Sequence, residues 1–95
     1  MEGQASISTE ILGRYAGDAA REIAGVRDLP GRHAVKVEES EGAVRVEVHV
    51  AVDWGASIPS IGRDVQDRVR EYLLRMADVE PAAVEVVVDE IGPRA

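Results

Sequence analysis

Valine stands at every second position from Val44 to Val52, with Arg45, Glu47, His49 and Ala51 between and Asp53 closing the run. Successive side chains of an extended strand point to opposite faces, so a period of two dictates a strand with one apolar and one polar face. A helix would scatter the same valines around its circumference. The chain must therefore build a sheet that is covered on one side and bare on the other. Ala34 to Glu39 alternates in the same way, Val35 and Val37 against Lys36 and Glu38, and Ser40-Glu41-Gly42 joins the two segments as a turn. The pair reads as an antiparallel hairpin. A last segment, Ala83 to Glu90, sets Val84, Val86 and Val88 against Glu85, Val87 and Asp89.

Two stretches of helical period supply the cover. From about Thr9 to Ala24 the apolar residues Ile11, Leu12, Tyr15, Ala16, Ala19, Ala20 and Ile23 recur three and four apart. Ser8 or Thr9 can cap this helix, Glu10 suits its positive end, and Gly25 is placed to close it. Its small residues, Gly13, Ala16, Gly17, Ala19, Ala20 and Ala24, allow close approach to a neighbour. The second helix starts at Ile58-Pro59, where proline's missing N–H costs nothing, and ends at Asp78 to Pro81. Ile61, Val65, Val69, Tyr72, Leu73 and Met76 form its stripe, while Asp64 with Arg68 and Glu71 with Arg75 are spaced for ion pairs along the other face. Ala5 to Ser8 reads as a short opening strand, and Val26 to Leu29 as an extra extended piece stopped by Pro30-Gly31.

The expected fold is thus α+β, a two-layer sandwich of order β-α-β-β-α-β with a further short strand, two amphipathic helices lying on one face of a small mixed sheet. One domain spans residues 1–95, with its core at about 5–91 and with Met1 to Gln4 and Gly92 to Ala95 expected to fray.

Composition narrows the chemistry. Cysteine is absent, so disulfides, thiolate metal sites and thiol nucleophiles are excluded. A formal charge of −7 repels nucleic-acid phosphates and anionic lipid headgroups. No leader and no apolar run of membrane-spanning length is present, and a cytoplasmic location without direct membrane insertion is expected. His33 and His49 could meet Glu38 or Glu47 across the hairpin at a metal, but no H-E-x-x-H spacing supports that, and both imidazoles are expected to be solvated. The acidic residues Glu38, Glu39, Glu41, Asp89 and Glu90 sit where an acidic protein carries them anyway. No serine lies in a G-x-S-x-G elbow, and no glycine pattern suits a phosphate. No catalytic residue, metal or other cofactor is expected.

Trp54 can be read in two ways. It sits at a strand end before Gly55 and a helix start, where pockets and partner contacts form, or it caps the open end of a core that has no Phe. Arg45, Glu47 and His49 on the second face of the longest strand belong to a polar surface that is either plain solvent surface or a docking surface.

The strings Ile7-Ser8-Thr9-Glu10-Ile11-Leu12, Ala19-Ala20-Arg21-Glu22-Ile23-Ala24-Gly25-Val26, Val44 to Val52, Trp54-Gly55-Ala56-Ser57-Ile58-Pro59, Val65-Gln66 and Val84-Glu85-Val86, in this order, resemble the alkaline-shock-protein-twenty-three family of bacterial envelope-stress proteins. Trp54 takes the place of that family's usual tyrosine. The segment Arg27 to His33 is shorter than in many members, and long charged tails are lacking. The resemblance implies a cytoplasmic, nonenzymatic protein of Gram-positive bacteria that is inclined to self-associate into a homo-oligomer and, in some members, is recruited to the membrane by an anchoring protein. Trp54, Ile58, Pro59, Arg45, Glu47 and His49 are the candidate partner-binding residues. The alternative is a small regulatory module that binds a metabolic enzyme or a small ligand near Trp54.

Overall fold

The computed structural model describes residues 7–92. Its elements are α1 (Thr9–Arg21), β1 (Val26–Asp28), β2 (Val35–Ser40), β3 (Ala43–Val52), α2 (Ile58–Ala77) and β4 (Ala83–Ile91). Ala5 and Ser6 of the expected opening strand lie outside the described residues. Ile7 and Ser8 form no strand, and Ser8 instead caps α1, its Oγ accepting the Ile11 N–H at 3.2 Å.

The valine run makes β3 the spine of the sheet. β2 pairs with it antiparallel, from Val35 opposite Val48 to Ser40 opposite Ala43. The two-residue turn between them, Glu41 and Gly42, holds both residues at positive φ (53° and 81°), a backbone whose twist matches that of the flanking strands. β1 takes the remaining length of the same edge, Val26 opposite Val52 and Asp28 opposite Ala51, so the extra extended piece is a true strand. β4 lines the other edge and runs parallel to β3, because α2 carries the chain back to the end from which β3 started.

Both helices lie on the valine face, α1 chiefly over β2 and β3 and α2 over β4. Val48, Val50 and Val52 are fully buried beneath them together with Val65, Val69 and Leu73, while Ala16, Ala19 and Ala20 bring α1 close. Gly13 and Gly17 are not what permits that approach, since a Cβ at either would meet its neighbours only at 3.7 and 3.5 Å.

Several helix details differ from the sequence expectation. α1 ends at Arg21 with Glu22 as its cap, and Gly25 serves instead in the turn that starts β1, with φ +97°. Met76 and Ile11 lie 47% and 40% exposed because the apolar stripes run past the edge of the sheet. Arg68 reaches across to Glu22, the cap of α1, and to Glu71 at 3.7 Å rather than back to Asp64, and Arg75 lies over the Tyr72 ring, 5.6 Å from its centroid, rather than beside Glu71. Arg68 can reach Glu22 because α1 lies beside α2, with Tyr15 and Tyr72 in edge contact at 6.1 Å.

Candidate functional site

The face of the sheet away from the helices carries Lys36 and Glu38 from β2, Arg45, Glu47 and His49 from β3, and Glu85 and Val87 from β4. Arg45 stands exposed, but Glu47 and His49 are half-buried. The expectation of a solvated His49 is therefore corrected. Its Nε2 lies 2.5 Å from Glu47 Oε2 and its Nδ1 lies 2.9 Å from Asp89 Oδ2. An ionised carboxylate only accepts, so meeting both contacts takes an N–H on each ring nitrogen, which is the imidazolium form. Its hydrogen bond to Glu47, then that to Asp89, raises the pKa of His49 above its ordinary 6.5, against the opposing effect of desolvation.

Asp89 reaches this position through an irregularity. Val50 pairs with Val88 but Ala51 pairs with Glu90, so Asp89 is the extra residue of a bulge. The bulge also reverses the alternation beyond it and sets Ile91 opposite Val52, where at the end of β4 it nonetheless stays 51% exposed. His33 stands exposed in the loop before β2. Among the described residues no three of His, Asp and Glu are arranged to hold a metal ion. The geometry around His49 gives the reason: its two carboxylates sit at opposite ring nitrogens and do not converge on one point.

A group that binds its proton more tightly when folded stabilises the fold in its protonated form. For His49 that contribution is fully present below about 6.5 and is lost as pH rises through the elevated folded pKa. Thermal melts are expected to show stability falling as pH rises above about 6.5, with the slope reduced in His49→Gln. An unchanged slope in that variant would show that the clamp contributes nothing.

The other three candidates lie elsewhere. Trp54, Ile58 and Pro59 follow the end of β3, at the end of the molecule where β4 also stops and α2 begins. Trp54 is 53% exposed, so it does not act as a buried cap of the core. Ile58 and Ile91 are large exposed apolar residues at the same end. The loop is held to the turn after α1, the Asp53 N–H donating to Gly25 O at 2.9 Å. The six candidates thus form two groups, a charged cluster along the bare face and an apolar one at its end. Sequence reasoning missed Ile91 as part of the second, because its place beside the Trp54 loop follows from the parallel pairing of β4 with β3.

Among the described residues no helix is long and apolar enough to cross a membrane. The sequence model of the alkaline-shock-protein-twenty-three family, described as having a cell envelope-related function, matches residues 30–93. The chain is 29% identical to the uncharacterized protein YqhY of Bacillus subtilis (strain 168), over 81% of this chain and 68% of that protein. It is 24% identical to the uncharacterized protein Spy1535 of Streptococcus pyogenes serotype M6, over 94% of this chain and 79% of that protein. Among solved structures, a single-site variant of MamM-CTD superposes with a TM-score of 0.63 at 13% identity, covering 90% of this chain and all of that one. A cadmium form of MamM CTD gives a TM-score of 0.61 at 13% identity, covering 87% of this chain and 98% of that one. At such identity the likeness is one of fold.

Proposed function

The chain belongs to the alkaline-shock-protein-twenty-three family, whose function is cell envelope-related, and from that premise we propose that it is a nonenzymatic cytoplasmic protein that self-associates and docks to a membrane-anchoring partner. The observation that carries this reading is that three of the six exposed large apolar residues among those described, Trp54, Ile58 and Ile91, lie at one end of the domain. Exposed apolar side chains clustered beside polar ones are the makings of a protein contact. The bare sheet face continues from that end and presents charges of both signs, Lys36 and Arg45 among Glu38, Glu47 and Glu85, which can fix the register of a neighbour. The chemistry-bearing groups on that face engage one another, His49 with Glu47 and Asp89, and so serve to hold β4 against β3.

A second copy is the occupant proposed for the apolar end. Sedimentation across a range of concentrations should show reversible association of the native chain, weakened by about tenfold or more in Trp54→Ser with Ile58→Ser. Both positions are exposed, so melting should stay close to native. A native chain that stays monomeric throughout the range, or a variant that associates as tightly, would defeat the reading.

A further inference from the structure

β2 has a bonded neighbour on one side only. The phase of that pairing is set by the His49 N–H, which donates to Ala34 O at 2.7 Å. In an antiparallel pair, residues that bond across alternate with residues that do not. Lys36 and Glu38 therefore share the phase of Ala34 and bond to β3, whereas Val35, Val37 and Glu39 turn their N–H and C=O groups away from it.

Along this open edge runs a groove of about 390 Å³ between α1 and β2. Val35 and Val37 line it from the sheet, and Gly13 and Gly17 line it from the helix, so that no long helical side chain fills the space there. Arg14, Arg21 and Arg32 also line it, against the one carboxylate of Glu10. Arg21 has Asp18 at 3.6 Å, but among the described residues neither Arg14 nor Arg32 has an acidic partner. In a chain of formal charge −7 this rim reverses the local sign.

An unpaired strand edge, an apolar wall and a cationic rim together specify an occupant. The edge accepts extended backbone, the valines accept apolar contact, and the guanidiniums select carboxylates. We infer that the groove receives an extended acidic segment of another protein, laid beside β2 as an added strand with its carboxylates turned toward the arginines. Backbone hydrogen bonds to Val35, Val37 and Glu39 supply the affinity, and the alternation of the incoming side chains supplies the selectivity. The surface is separate from both the Trp54 end and the bare sheet face, so the inference stands whether or not the chain self-associates.

The test uses the full chain and a fluorescein-labelled decapeptide of alternating glutamate and valine. Fluorescence anisotropy should show saturable binding, weaker by about tenfold or more in Arg14→Glu with Arg32→Glu and for the same peptide with lysine in place of glutamate. Arg14 and Arg32 are exposed, and an unaltered melt will show that the double variant is folded. Hydrogen exchange on the complex should slow the amides of Val35, Val37 and Glu39 and leave those of Lys36 and Glu38 as they were. Equal binding of the lysine peptide, no protection at Val35 and Val37, or full displacement by free glutamate would overturn the inference. Protection of these amides that grows with chain concentration in the absence of peptide would overturn it too, by making a second copy the occupant.

Discussion

Val48→Asp is expected to abolish the cooperative thermal transition of the domain. Val48 is fully buried, with Val35 opposite it on β2 and Val86 on β4. Replacing it forfeits about 1.5–3 kcal/mol of apolar burial. It also places a carboxyl group where only valines and helix stripes surround it, at roughly 2–7 kcal/mol for the neutral acid without a partner and more for the ion. A domain of this size has about 5–14 kcal/mol in total. The two losses together consume most or all of that, and far-ultraviolet circular dichroism should show the variant unfolded or melting without cooperativity. Arg45→Gln, three residues away but on the exposed face, should melt within about 0.5 kcal/mol of native. A native-like melt for Val48→Asp would mean that the valine face is not the one the helices cover.

That contrast between neighbours on one strand marks what was legible in the sequence. Alternation is a local signal with a period of two, and it placed Val44 to Val52 inside and Arg45, Glu47 and His49 outside without knowledge of any other strand. Helical period did the same for Leu12, Ala16, Val65 and Leu73, each of which is buried. What escaped depends on contacts distant in sequence. His49 lies forty residues from Asp89, and the two meet only because β4 is parallel to β3 and slips by one residue beyond Val88. No propensity encodes a bulge at that place. The same slip carries Ile91 to the face of Val52, and the order of strands in the sheet decides that β2, not β3, offers an open edge. Of the candidate site, Trp54, Ile58 and Pro59 were legible as a loop at a strand end, and Glu47 and His49 as a polar face. That His49 is held between two carboxylates, and that the groups lie apart, was not.

Gly25 shows how a residue read correctly as special can be special for a different reason, and Gly25→Ala is expected to destabilise the fold by about 2–4 kcal/mol. Its φ of +97° is a conformation that residues with a Cβ rarely adopt. A Cβ built there would stand 2.6 Å from Ile61 Cδ1 and 3.1 Å from its Cγ1. Ile61 is itself buried at 4% exposure, so its side chain has little room to withdraw. Backbone strain and overpacking therefore act together, and the midpoint of melting should fall by about 10 °C or more. A double-mutant cycle separates them. Ile61→Val removes the nearest atom at its own cost of about 0.5–1.5 kcal/mol, and Gly25→Ala should be less damaging in that background by the part that belonged to the clash. Simple additivity would assign the whole effect to the backbone. Because Gly25 O accepts the Asp53 N–H, the same substitution should loosen the turn that carries Trp54. Trp54 emission in the folded variant should then shift, and self-association through that end should weaken beyond what the loss of stability explains.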